Sequence, residues 1–167
     1  ENIVASIRKF FDKYHYHNIT PIKGLLFYGA AGAGKTHLVK CIAGEYNLPL
    51  IIRSQGDDIT QVYKKARNLG SCIVLFDEID TLTKEGVIPE LLNTLDGIDS
   101  NVKIMTIGTT NRLGIIPKPA LRSGRFDMIF EFKEPTYDEL KKITKAFFSM
   151  YKITLSNEMA DEIIKVV

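Results

Sequence analysis

Leu25-Leu26-Phe27-Tyr28-Gly29-Ala30-Ala31-Gly32-Ala33-Gly34-Lys35-Thr36-His37-Leu38 runs from an apolar segment through a glycine-rich loop into a helical pattern continued by Val39, Ile42 and Ala43. Strand, loop, helix is the context that turns a G-x-x-x-x-G-K-T match into a phosphate-binding expectation. Glycines lack a Cβ, so successive backbone N–H groups can converge on an anion, and the N-terminus of the following helix adds partial positive charge. In such a loop Lys35 reaches the β- and γ-phosphates and the Thr36 hydroxyl ligates Mg²⁺. A tight turn that merely needs glycine does not account for strand, glycines, Lys and Thr together. Gly29, Ala30, Ala31, Gly32, Ala33, Gly34, Lys35, Thr36 and His37 are therefore the expected nucleotide-binding set, and the expected ligand is a nucleoside triphosphate.

Outward from this loop, the 167 residues suit one domain, or one domain and part of a second. The chain is 45% hydrophobic and 25% charged, ordinary for a globular protein with a sizeable core. Its net charge of +2, from 22 basic and 20 acidic residues spread along the chain, gives weak support for nucleic acid. No charge block marks a membrane surface or an acidic tail. Cys41 and Cys72 fall within a predicted helix and at the start of a predicted strand, which points to a reducing compartment and two buried thiols. No apolar run reaches membrane-spanning length and no signal peptide opens the chain. An intracellular, cytoplasmic location is expected, with an organellar or membrane-anchored parent left open. The start at Glu1 and the apolar-periodic end suggest an excised fragment.

Ile3, Ile7, Phe10, Phe11 and Tyr14 recur at helical spacing and predict an N-terminal amphipathic helix. After the loop and its helix, Leu50-Ile51-Ile52 reads as a short buried strand, and Ile59, Val62, Tyr63, Ala66 and Leu69 as a helix. Ile73-Val74-Leu75-Phe76 is a continuous apolar strand of the kind covered on both faces. Val87 to Leu95 reads as a helix with Pro89 in its first turn. Strands over 103–107 and 128–132 complete an α/β pattern whose alternation predicts a doubly wound, parallel, five-stranded sheet over residues 1–134. Residues 135–167 read as the truncated start of a helical subdomain, opened by Thr136 as a helix cap and followed by a second helix from near Ser156.

Three further stretches carry chemistry. Asp77-Glu78 ends the third strand; in a parallel sheet that is the edge where ligands sit. Asp77 would stand near the metal, and Glu78 would orient and polarise an attacking water. Thr109-Thr110-Asn111 follows the fourth strand, where the Asn111 amide can hold a water or a γ-phosphate oxygen without adding charge. Arg122 and Arg125 flank Gly124, a spacing suited to bidentate capture of phosphate oxygens or, alternatively, to surface salt bridges.

In order, these motifs resemble the nucleotide-binding core of the AAA ATPases, the ring-forming branch of P-loop NTPases. Residues 29–36 resemble Walker A, 73–78 Walker B, 109–111 sensor 1, and 119–127 the second region of homology with its paired arginines. Leu92-Asn93-Thr94-Leu95-Asp96-Gly97-Ile98 is similar to the inter-subunit signalling segment, with Ile98 where an aromatic is usual. The resemblance implies that Lys35 and Thr36 bind phosphates and Mg²⁺, Asp77 supports the metal, Glu78 activates water and Asn111 senses the γ-phosphate. It implies also that Arg122 and Arg125 act on the nucleotide of a neighbouring subunit, making the active unit an oligomer, typically a hexameric ring. ATP and Mg²⁺ are the implied cofactors. Hydrolysis to ADP and phosphate, coupled to remodelling or translocating a macromolecular partner, is the implied function.

Departures narrow that reading. Ala30-Ala31 replaces the usual Pro-Pro, and Arg53-Ser54-Gln55-Gly56-Asp57-Asp58 carries no aromatic-hydrophobic-glycine pore loop. The opening Ile7…Phe10-Phe11…Tyr14…Ile19…Pro21…Gly24 resembles the mitochondrial Rieske-protein translocase subgroup, which also lacks that loop. Gly34-Lys35-Thr36-His37-Leu38 is instead similar to bacterial replication initiators and helicase loaders, so a nucleic-acid-associated ATPase is the alternative.

Overall fold

The computed structural model describes residues 24–98 and 103–166; the amphipathic helix expected over residues 3–14 lies outside them. The described chain divides into two units between Phe132 and Lys133. The first contains five strands, β1 (Gly24–Gly29), β2 (Leu50–Ile52), β3 (Cys72–Phe76), β4 (Ile104–Thr110) and β5 (Met128–Phe132). Between them run α1 (Lys35–Glu45), α2 (Ile59–Leu69), α3 (Asp80–Glu85) and α4 (Ile88–Asp96), and two short 3₁₀ turns, Leu113–Ile115 and Lys118–Leu121. The sheet order is β2-β3-β4-β1-β5 and every neighbouring pair is parallel. This is the α/β architecture expected from the alternation of elements.

Side chains alternate across the strands and build a core on each face. Leu26, Val74, Phe76 and Ile104 face α2, α3 and α4, meeting Val62, Tyr63, Leu82, Leu91 and Leu95. Leu25, Phe27, Ile73, Leu75, Met105 and Ile107 face α1, meeting Val39 and Ile42. Burial of each such side chain contributes ~1.5–3 kcal/mol, and only a sheet covered on both sides buries consecutive residues of a strand. Asp58 caps α2 by accepting from the Gln61 N–H at 2.8 Å, so the helix begins where its buried face begins. The Tyr63 hydroxyl pairs with Thr106 at 2.7 Å inside the core, and burial raises its pKa.

Three expectations are corrected. Leu50 and Ile51 are only half-buried and Ile52 is 45% exposed, because β2 is an edge strand with one neighbour. Cys41 is exposed, on the outer side of α1; Cys72 is buried, and burial pushes its thiol up to about 11. β4 extends through Thr110, so Thr109 and Thr110 belong to the strand rather than to the loop after it. In residues 53–58 the buried Arg53 guanidinium donates to Asp57 O at 3.1 Å and to Glu85 Oε2 at 2.7 Å, tying the end of β2 to α3.

The second unit comprises α5 (Tyr137–Met150) and α6 (Asn157–Val166). A capping box opens α5: the Glu139 N–H donates to the Thr136 hydroxyl, and the Thr136 N–H to the Glu139 carboxylate. Lys141 and the Tyr137 hydroxyl converge on Asp161, at 2.7 and 2.9 Å, joining the two helices.

Gly29 closes β1 at φ 145°, and a Cβ there would stand 1.9 Å from the Phe132 carbonyl oxygen on β5. Gly29→Ala is expected to destabilise the nucleotide-free protein by roughly 2–4 kcal/mol, through backbone strain and forced separation of β1 from β5. Urea unfolding measures this; an unchanged midpoint would mean that β5 is not held against the end of β1.

Candidate functional site

Three adjacent parallel strands decide where chemistry can gather. β3, β4 and β1 lie side by side with their carboxyl ends on one edge; Phe76 is in register with Gly108, and Tyr28 with Thr110. The residues that follow each strand therefore emerge together: Asp77-Glu78 after β3, Asn111 after β4, and the 29–34 loop after β1. They border a cleft of about 260 Å³ lined by Gly32, Gly34, Lys35, Thr36, Asp77, Glu78 and Asn111, with Ala31, His37 and Thr109.

Gly32 and Gly34 adopt φ 78° and 89°, and a Cβ at either would meet nothing within 4 Å. Their glycines answer to backbone conformation, and they leave the concave side of the loop open. Gly34 caps α1 without a side-chain bond, and the first turn of α1 has no acidic residue. The first N–H groups of α1 thus carry partial positive charge that no carboxylate of that turn neutralises, which suits an anion. Ala30 and Ala31, Ala33 and His37 complete the expected set along this turn; His37 Nε2 lies 3.4 Å from Cys41 Sγ.

Lys35 is the buried cation of the site, 7% exposed. Its ammonium donates to Gly29 O at 2.9 Å, Ala30 O at 2.7 Å and Asn111 Oδ1 at 2.8 Å, which employs all three protons. Burial lowers its pKa, opposed by the charges of Asp77, Glu78 and Asp80. Because the Asn111 oxygen accepts from Lys35, its NH₂ donors are directed elsewhere. Asp77 Oδ1 accepts from the Thr36 hydroxyl and from the Thr109 hydroxyl, each at 2.6 Å. Thr36 and Asp77 thus place two hard oxygen donors together on an exposed rim, a set that fits a divalent cation such as Mg²⁺, which takes few protein ligands and keeps water. Glu78 is exposed and its backbone is left-handed, φ 51°, which turns the residue out of the line of β3.

The two arginines part company. Arg125 forms a bidentate pair with Asp96 on α4, at 3.0 and 2.7 Å, and donates to Pro119 O at 2.8 Å. The Arg122 side chain is exposed, and neither arginine lines the cleft among the described residues. The sequence reading missed two participants. Thr109 stood inside a quoted motif, but its link to Asp77 depends on strand pairing. Asp96 lies 29 positions from Arg125, a separation that carries no local signal.

Among the described residues no helix is long and apolar enough to cross a membrane. A family model described as "ATPase family associated with various cellular activities (AAA)" matches residues 25–134. Protein CdcH of Halobacterium salinarum is 31% identical over 156 residues, covering 80% of this chain and 21% of CdcH, so the chain spans about a fifth of that relative's length. The matched region holds all five strands but for Gly24 at the start of β1, together with the cleft and every residue placed around it, and with that agreement of sequence and geometry the chain belongs to the AAA family of ATPases.

Proposed function

We propose that this chain is the hydrolytic core of a Mg²⁺-dependent, ring-forming ATPase that couples turnover to remodelling or translocating a protein or other macromolecule. One observation carries the reading: a buried ammonium, a hydroxyl–carboxylate pair, a second exposed carboxylate and an amide border the same cleft, beside an uncapped helix start. Residues 1–134 form the nucleotide-binding subdomain in this reading and residues 135–167 the beginning of a helical lid.

The loop N–H groups of residues 29–34 and the start of α1 receive the phosphates, with His37 at the rim. Lys35 donates to a phosphate oxygen; since its three protons are engaged within the chain, it exchanges a loop carbonyl or Asn111 for the ligand. Asn111, once released, turns its amide to the γ-phosphate or to the attacking water. Thr36 and Asp77 hold Mg²⁺, which when bound draws charge from the phosphate oxygens. Glu78 polarises the water for in-line attack and receives its proton. Arg122 and Arg125 act on the nucleotide of an adjacent subunit; Arg125 must then exchange or share the Asp96 carboxylate that holds it. A finger of this kind is worth about 10³- to 10⁵-fold in rate, so isolated subunits turn over slowly.

Lys35→Ala is expected to weaken ATP binding at least about 30-fold, since a charged partner of the phosphates is lost. Titration with a fluorescent nucleotide measures it, and undiminished affinity would remove Lys35 from the site. Glu78→Gln is expected to bind ATP within about threefold of the parent protein and to lose ~10²- to 10⁴-fold in turnover. Phosphate release under saturating ATP and Mg²⁺ reads this; a variant that hydrolyses at the parent rate would exclude Glu78 as the base.

A further inference from the structure

Glu78 is the one residue of the cleft whose backbone is strained: at φ 51° it occupies a region that non-glycine residues rarely adopt. Such a conformation persists only where its surroundings over-determine it. A single residue of the neighbouring strand supplies the restraint. The Thr109 hydroxyl accepts from the Glu78 N–H at 2.9 Å, and the Thr109 carbonyl accepts from the Ile79 N–H at 2.7 Å, so the peptide groups on both sides of Glu78 are held by one partner. The same hydroxyl donates its only proton to Asp77 Oδ1 at 2.6 Å. Thr109 is 1% exposed, and Ile79 beside the turn is fully buried, so water does not readily replace these bonds.

We infer that Thr109 is a positioning residue for hydrolysis: it holds the Glu78 backbone in its outward turn and fixes the orientation of the Asp77 carboxylate. The inference rests on the roles proposed for Glu78 and Asp77. A hydroxyl is the group needed, because one atom must donate to a carboxylate and accept from an amide at once, and among small side chains only a hydroxyl does both strongly from a single atom. Valine keeps the shape and loses both bonds. Serine keeps both bonds and loses only a methyl group. With Mg²⁺ bound, the Thr36 hydroxyl would offer a lone pair to the metal, leaving Thr109 as the donor to Asp77 that is not itself a metal ligand.

The test compares Thr109→Val with Thr109→Ser in the full chain, with Thr109→Ala as the smaller substitute should valine fail to fold. The first readout needs no nucleotide. Amide hydrogen exchange of Glu78 is expected to accelerate on the order of tenfold in the valine or alanine variant and to stay near the parent rate in serine, as one lost hydrogen bond dictates. The second is the gain in affinity that Mg²⁺ confers on a non-hydrolysable ATP analogue, expected to shrink severalfold with valine and to persist with serine. The third is turnover: kcat falls at least about tenfold with valine while KM holds within about threefold, and serine restores kcat. Parent-like exchange at Glu78 in the valine variant, or equal losses in valine and serine, would overturn the inference. Should Glu78→Gln hydrolyse normally while Thr109→Val still frees the Glu78 amide, it is the assignment of Glu78 as base that fails, and the tether stands.

Discussion

One carboxylate oxygen, Oδ1 of Asp77, accepts two hydroxyl protons at 2.6 Å, one from Thr36 on α1 and one from Thr109 on β4. It thereby joins three elements that are distant in sequence: the helix after the glycine-rich loop, the end of β3 and the end of β4. Everything in the cleft is arranged around this junction. Lys35 stands one residue before Thr36 and reaches Asn111, two residues beyond Thr109, so a second bond closes the same ring of contacts from the other side. A carboxylate in that position is acceptor-only, and two hydroxyl donors satisfy it without neutralising its charge. It keeps the negative potential that a divalent cation needs while its orientation is held.

The rest of the fold makes the junction rigid. β3 and β4 are adjacent interior strands of a sheet with helices on both faces, and their buried residues leave no room for one strand to slide past the other. A slip of one residue would move every side chain to the opposite face. Thr109 and Thr110 show what that accuracy is for. They are adjacent and fully buried, yet the first bonds Asp77 and the Glu78 amide while the second bonds Asp80 at 3.0 Å. The acidic turn is held at both ends by consecutive residues of one strand.

Arg125 illustrates a different use of charge. Two hydrogen bonds to Asp96 and one to Pro119 O hold its guanidinium against its own chain. The bidentate geometry favours a guanidinium over an ammonium, and it occupies the same fork that Arg presents to phosphate oxygens. Exposed ion pairs contribute little to stability, about 0–1 kcal/mol, so this one reads more readily as orientation than as structural support.

Much of this was legible in the chain itself. The glycine-rich loop between strand and helix, the acidic pair ending an apolar strand, and the alternation of elements are local patterns with local causes: backbone freedom without Cβ, side-chain periodicity, and strands apolar on both faces. They determined the fold class, the family and the residues around the cleft. Pairing was not legible. That β3 lies beside β4 and β4 beside β1, that Thr109 belongs to a strand and bonds two neighbours, that Arg125 lies on Asp96, that Cys41 faces outward and that β2 is an edge all follow from which surfaces meet. Such choices depend on burying two faces of a sheet at once, an energy summed over residues far apart in the chain, and only the tertiary structure decides them.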